Sequence, residues 1–297
     1  MITLRDLQYL VALEKHRHFS QAADACFVSQ PTLSGQFKKL EEYLGLTLVE
    51  RNRHQIIMTP AGAELAARAQ QLIAGAEEFE RHARALIDPL SGEMHVGLVP
   101  TLAPYLLARV MAPIGRHLPD MQFYLYEEQT SDLLTKLDNG VLDLLLLPWS
   151  DQMSCFERVD LFKETLQFAG PSNHPLAESK KLKLTDLEGQ HVLTLEDGHC
   201  LREDAMSYCF AAGAKEDQRF RATSLETLRF MVSNGIGITL IPQLAIENRK
   251  DRNIVYRKFT SPEPSRQISA VFRKGYPRFA CVQEIVKTIR REINGKD

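Results

Sequence analysis

Phe19-Ser20-Gln21-Ala22-Ala23-Asp24-Ala25-Cys26 is followed by Phe27-Val28-Ser29 and then by Gln30-Pro31-Thr32-Leu33-Ser34-Gly35-Gln36-Phe37-Lys38-Lys39-Leu40. Ser20 is the expected N-cap of a first helix running to about Cys26. Ser29 is the expected cap of a second, with Pro31 tolerated in its first turn. The apolar positions of that second helix, Leu33, Phe37, Leu40 and Leu44, recur at helical spacing, and Gly45 ends it. Two short helices joined by three residues make a helix-turn-helix. Beyond it, Leu48-Val49-Glu50-Arg51 and Ile56-Ile57-Met58 flank the polar Asn52-Arg53-His54-Gln55, the pattern of a two-stranded wing. Residues 1–58 therefore predict a winged helix-turn-helix domain.

Thr59-Pro60 restarts a helix, a cap followed by proline at the first position. Leu65, Leu72, Phe79 and Leu86 recur every seven residues, with Ala69, Ala76 and Ala83 between them. A seam of period 3.5 is too narrow for burial in a globular core and predicts a coiled-coil dimerisation helix over 59–88. The alternative is one amphipathic helix packed on its own domain. Asp88-Pro89-Leu90-Ser91-Gly92 reads as a linker.

Residues 89–297 change character. Strand signals at Met94–Val99, Gln122–Glu127, Leu142–Leu147, His191–Leu195, Ile238–Ile241, Val255–Phe259 and Ile268–Phe272 alternate with helical signals, the last from Pro277 to about Asn294. This predicts an α/β architecture with largely parallel sheets. The length suits two small lobes with a cleft between them, of periplasmic-binding-protein type. Gly235-Ile236-Gly237-Ile238 lacks the third glycine of a phosphate loop and reads as a turn.

The whole chain of 297 residues fits two or three domains. Lys and Arg number 36 against 38 Asp and Glu, which excludes a histone-like polycation and a strongly acidic tail. No apolar run of 18 residues exists, so no membrane partner is expected. The start, Met1-Ile2-Thr3-Leu4-Arg5-Asp6, carries an acid where a signal peptide is basic. Five cysteines cannot scaffold a chain this long, and a reducing, cytoplasmic setting is expected. The cysteine spacing fits no zinc site, and neither a metal nor a cofactor is expected.

Residues 1–62 carry seven basic side chains (Arg5, Lys15, Arg17, Lys38, Lys39, Arg51, Arg53) and six acidic ones (Asp6, Glu14, Asp24, Glu41, Glu42, Glu50). Placement says more than this balance. Ser29, Gln30, Pro31, Thr32, Ser34, Gln36 and Lys38 lie on or beside the early turns of the second helix, whose N-terminus favours phosphate. Arg51 and Arg53 of the wing can reach the nucleic-acid backbone. Ala22-Ala23, Ser29-Gln30-Pro31-Thr32-Leu33-Ser34, Leu40-Glu41, Leu44-Gly45, Glu50-Arg51 and Thr59-Pro60-Ala61-Gly62 closely resemble the signature of LysR-type transcriptional regulators, over the full chain. The resemblance implies a homodimer or homotetramer bound to promoter DNA and engaging RNA polymerase. Many members carry Arg after the helix serine; this chain has Gly35.

Glu196-Asp197-Gly198-His199-Cys200-Leu201-Arg202-Glu203-Asp204-Ala205-Met206-Ser207-Tyr208-Cys209-Phe210 places Cys200 at a helix start, where the helix terminus and a neighbouring His or Arg lower a thiol pKa. Cys209 shares a face with Leu201, Ala205 and Ala212 and is expected to be buried. Nine helical residues span ~13.5 Å and turn the two side chains to opposite faces, so they cannot bridge while the helix is intact. From chemistry alone, Cys209 can be a small core residue and Cys200 an incidental one. Cys26 and Cys281 read as core, and Cys155 as a loop or strand-edge residue.

Gly198-His199-Cys200-Leu201-Arg202, Cys209-Phe210 and Phe220-Arg221-Ala222-Thr223-Ser224-Leu225-Glu226-Thr227-Leu228-Arg229 look very like the peroxide-sensing branch of the LysR-type regulators, and Gly35 agrees. The resemblance implies that Cys200 is peroxidatic and Cys209 resolving. It implies that Thr101, Thr130 and His199 hold hydrogen peroxide, that Arg266 stabilises the thiolate, and that a cytosolic thiol reductant resets the switch. For Thr101 a helix cap after Pro100 is the competing role. Three rival readings have different consequences: a regulator answering a small metabolite in the cleft, a thiol peroxidase, and a solute-binding protein. The last two have no use for residues 1–90.

Overall fold

A computed structural model of the chain describes residues 1–51, 56–247 and 251–295. By its internal contacts the chain divides into two units, Met1–Arg84 with Asn139–Val141, and Ala85–Asp138 with Leu142–Asp297.

The first unit opens with α1 (Leu4–His16), α2 (Phe19–Ala25) and α3 (Gln30–Leu44). Thr3 and Asp6 form a reciprocal capping box at the start of α1, which the sequence reading did not single out. The cap of α2 is His18, whose Nδ1 accepts from the Ser20 amide at 3.2 Å; Ser20 itself lies inside the helix. Ser29 does cap α3, accepting from Thr32 N–H, and Gly45 ends it in the left-handed region at φ 67°. Leu33, Phe37 and Leu40 point inward with Leu10, Leu13, Ala22 and Ala23. The wing is β1 (Val49–Arg51) paired antiparallel with β2 (Ile56–Met58). Arg53 lies outside the described residues, as does the side chain of Arg51.

The long helix is α4 (Pro60–Ile87). Thr59 caps it by accepting from Gly62 N–H at 3.0 Å. Its heptad seam divides. Leu65 and Ala69 pack on the core of the three small helices, whereas Leu72 and Phe79 are 60% and 74% exposed. The amphipathic-helix alternative thus describes the start of α4, and Ala74 beyond it is buried as well, at 5% exposure. The Leu86 side chain lies outside the described residues.

The second unit contains β3 (Gly92–Leu98), α5 (Ala103–His117), β4 (Met121–Glu127), α6 (Thr130–Asp138), β5 (Leu144–Pro148) and β6 (Glu157–Pro171). It continues with β7 (Lys181–Leu182), β8 (His191–Leu195), α7 (Cys200–Ala211), β9 (Lys215–Ala222), α8 (Leu225–Ser233) and β10 (Thr239–Pro242). It closes with α9 (Gln243–Ile246), β11 (Ile254–Phe259), β12 (Ser265–Phe272) and α10 (Phe279–Asn294). Two separate buried clusters define two lobes. Leu98, Leu106, Leu133, Leu145, Ile268 and Ile285 belong to the first. Leu166, Phe168, Leu193, Leu201, Cys209 and Leu240 belong to the second.

The expectation of largely parallel sheets needs correction. β4, β3 and β5 are parallel, as are β8 with β9 and β11 with β7. β12 is antiparallel to β5 and β6, and β6 is antiparallel to β10 and β11. The cause is β6, 15 residues long, whose ends serve different lobes: its first half pairs with β12 and its second with β10 and β11. A strand that passes from one lobe to the other meets strands returning in the opposite direction, and antiparallel pairing follows.

Candidate functional site

On α3, Gln30, Pro31, Thr32, Gln36 and Lys38 are exposed and Ser34 is half-buried. At 100° per residue Gln30, Ser34 and Lys38 form one stripe, which flanks the buried face of Leu33, Phe37 and Leu40. Ser29 and Thr32 share a hydrogen bond of 2.7 Å between their hydroxyls, so capping engages both. Lys38 lies 3.7 Å from Glu42, an exposed pair too weak to withdraw it from a phosphate. A Cβ at Gly35 would meet open space, so no neighbouring side chain or backbone demands glycine there.

The thiol site is built from six stretches of the second unit, at Thr101, Thr130, Trp149, Glu164, Gly198–Asp204 and Arg266. Cys200 is the first residue of α7, and no side chain caps that helix start. Before it, Gly198 sits at φ 93°, where an added Cβ would lie 2.3 Å from Gln129 Oε1. Glycine is required for the turn that delivers the cysteine. Cys200 is half-buried and packs against the first lobe's core. It borders a cavity of about 160 Å³ with Thr130 of α6, Trp149, Glu203 and Asp204.

Arg266 of β12 acts on the thiol through its charge. It is fully buried and donates through Nε to Glu164 Oε2 at 2.8 Å, through Nη1 to Thr101 Oγ1 at 3.0 Å and through Nη2 to Thr101 O at 3.1 Å. A buried guanidinium needs such pairing. Thr101 therefore answers Arg266; the cap position of α5 is Leu102.

Burial pushes the Cys200 thiol above its ordinary pKa. The Arg266 charge opposes that, the Asp204 carboxylate adds to it, and the Thr130 and Thr101 hydroxyls oppose it. This corrects the expectation of a thiol lowered outright by its helix terminus. The resting thiol is held by desolvation; of the groups that favour the thiolate, Thr130 lines the cavity, whereas Arg266 and Thr101 act on the thiol from outside its lining. His199 is buried, with its Nε2 3.8 Å from Glu196 Oε1. Thr130 Oγ1 is buried and has no partner at hydrogen-bonding geometry, and the same is true of Asp204 Oδ2. Glu164 and Asp204 are the site residues that sequence reasoning missed. Asp204, four residues after Cys200 and on its helix face, was readable from spacing; Glu164 was not.

Cys209 lies in the second lobe's core, fully buried, and burial pushes its thiol up to about 12. All five cysteines are unbridged. One continuous helix separates Cys200 from Cys209. That helix is anchored by buried Leu201, Ala205 and Met206, by Arg202 to Glu216 at 2.9 Å, and by Tyr208 Oη donating to Ser265 O at 3.0 Å. The other cysteines follow the sequence reading: Cys26 and Cys281 are buried and Cys155 is exposed.

A helix-turn-helix unit followed by a two-lobed α/β unit is the architecture of a ligand- or redox-controlled DNA-binding regulator. The family profile "Bacterial regulatory helix-turn-helix protein, lysR family" matches residues 4–63, and "LysR substrate binding domain" matches residues 88–294. The chain belongs to the LysR family of bacterial regulators. It is 44% identical over 295 residues to the hydrogen peroxide-inducible genes activator of Pectobacterium carotovorum subsp. carotovorum, covering 99% of this chain and 98% of that one. It is similar to a full-length OxyR of Pseudomonas aeruginosa that carries a cysteine-to-aspartate substitution, with a TM-score of 0.75, 30% identity, and coverage of 98% of this chain and 95% of that one. The oxidised form of OxyR matches at 43% identity and a TM-score of 0.65, over 70% of this chain and 99% of that one. Among the described residues no helix is long and apolar enough to cross a membrane.

Proposed function

We propose that this chain is a hydrogen-peroxide-sensing transcriptional regulator switched by a disulfide between Cys200 and Cys209. Residues 1–58 grip promoter DNA through Gln30, Ser34, Gln36, Lys38 and the wing arginines Arg51 and Arg53. Residues 59–88 pair two copies, and residues 89–297 sense peroxide. The protein acts in the cytoplasm as a dimer or tetramer, contacts RNA polymerase and is reset by a cytosolic thiol reductant.

The observation that carries this reading is the placement of Cys200. It is the helix-terminal thiol beside a buried Arg266, on a cavity bordered by Thr130, with Cys209 out of reach on the same helix. Peroxide enters the cavity and is oriented by Thr101, Thr130 and His199. The Cys200 thiolate attacks one peroxide oxygen; the S–O bond forms, the O–O bond breaks, and the departing hydroxide takes up a proton to leave as water. Sulfur is oxidised to the sulfenic acid. Cys209 then displaces water from that sulfenic acid, forming the disulfide. Nine helical residues rise ~13.5 Å, whereas bridged Cα atoms lie within roughly 7 Å, so α7 must unwind first. DNA-bound subunits read the rearranged segment.

Mass spectrometry of the full-length protein before and after stoichiometric peroxide tests this. A bridge between the tryptic peptides containing Cys200 and Cys209 is expected, with none in Cys200→Ser and over-oxidised Cys200 in Cys209→Ser. A response to a metabolite that survives both substitutions would favour the small-ligand reading instead.

A further inference from the structure

Two acidic side chains border the cavity beside Cys200, the exposed Glu203 and the half-buried Asp204, and the reading above has no use for Asp204. Asp204 lies one helical turn beyond Cys200, on the same face of α7, and both border the cavity. Its Oδ2 is out of contact with solvent and has no hydrogen-bond partner. A carboxylate oxygen left unpaired in such a place carries a desolvation cost that packing alone does not explain.

We propose that Asp204 is the proton-transfer residue of peroxide sensing, taking the proton of the Cys200 thiol and returning it to the hydroxide that leaves the peroxide. This rests on the peroxide-sensing reading of Cys200. The step balances without any other group. Asp204 carboxylate accepts the thiol proton, giving a carboxylic acid and a thiolate. The thiolate attacks HOOH, forming the S–O bond and breaking the O–O bond. The leaving hydroxide takes the proton back from Asp204, so that Cys200 sulfenic acid, water and the original carboxylate result. Sulfur loses two electrons and peroxide gains them.

The surroundings suit this traffic. Burial raises the Asp204 pKa to about 6, and Glu203 on the same helix and Glu164 of β6 add to the rise. Arg266 of β12 lowers it and keeps the carboxylate ionised at neutral pH. Cys200 is the remaining titratable neighbour, and the other wall, at Pro148–Met153, contributes no charged lining residue among the described residues. A base a little above its ordinary range and beside a thiol raised above its own can exchange a proton with it in either direction. Asp204 therefore separates two states that a resting regulator needs: an inert thiol without peroxide, and a thiolate formed as peroxide arrives.

The test follows loss of the Cys200 thiol in reduced, full-length protein under excess hydrogen peroxide, from about pH 5 to about pH 8. Wild type is expected to react at a nearly level rate above about pH 7 and to slow below about pH 6, where Asp204 is already protonated. Asp204→Asn is expected to be roughly a hundredfold slower at neutral pH. Its rate should climb with each pH unit, because only pre-formed thiolate then reacts. A variant as fast as wild type or faster, with the level region retained, would overturn the proposal; Asp204 would then merely repel the thiolate. If Asp204→Asn loses cooperative unfolding, Asp204→Ala with added formate decides. Formate must accelerate that variant and leave wild type unaffected, and no acceleration overturns the proposal. A wild-type Cys200 unreactive at every pH would instead remove the peroxide-sensing reading itself.

Discussion

Arg266 and Glu164 form a fully buried ion pair, and the fork of Arg266 extends to both the hydroxyl and the carbonyl of Thr101. Breaking such a pair by removing one member typically costs about 3–5 kcal/mol, because the survivor stays buried and unpaired. The site therefore rests on contacts between β6, β12 and the start of α5. Arg266 and Thr101 entered the sequence reading through family resemblance. Glu164 did not, because an ion pair between distant strands has no spacing signature. Asp204 has a second consequence for stability. Its folded pKa of about 6 lies above the ordinary 3.8, so the fold binds that proton more tightly than the unfolded chain does. The sign follows: the fold is helped at acidic pH and loses stability as pH rises from about 4 to about 6. Asp204→Asn should stabilise the reduced protein at neutral pH by about 1–3 kcal/mol and remove that slope. Urea unfolding of the two proteins across this pH range measures the difference.

At the scale of elements, the sequence was most legible where caps and apolar spacing coincide. Ser29, Pro31 and Gly45 bound α3 as read. The cap of α2 was misplaced because His18 can accept from an amide as serine does, and propensity favours Ser20. For α3, Gln30→Ala, Ser34→Ala and Lys38→Ala should each weaken promoter binding by several-fold without unfolding the protein. Lys38→Ala should also lower the salt slope by about one. Fluorescence anisotropy against promoter DNA at several salt concentrations checks both. Undiminished binding in all three would place the DNA surface elsewhere. For α4, the exposed Leu72 and Phe79 mark the stretch of the seam left for a partner helix. Leu72→Glu with Phe79→Glu should yield a monomer in light scattering when the chain is truncated after the linker. A persistent dimer would refute the coiled-coil reading.

Over the whole molecule, the two-lobed α/β architecture was readable from alternating strand and helix signals, but the sheet pairing was not. β6 exchanges partners midway, a long-range property that periodicity along one strand cannot express. The same topology explains how one cysteine pair can act as a switch. Cys200 packs against the first lobe's core, while Leu201, Met206 and Cys209 belong to the second. Bridging the two sulfurs must take α7 out of that second core and expose side chains worth roughly 1.5–3 kcal/mol each for Leu201 and Met206. The bridge in the oxidised protein is therefore expected to be strained, with a reduction potential well above the about −300 mV of structural disulfides, a value that equilibration with a thiol redox buffer checks. Hydrogen exchange across residues 200–212 in the reduced and oxidised proteins tests this account most directly. Oxidation should make that segment the most exchange-labile part of the second unit. Unchanged protection there, with a Cys200–Cys209 bridge confirmed by mass spectrometry, would contradict it, because an intact α7 cannot bring the two sulfurs together.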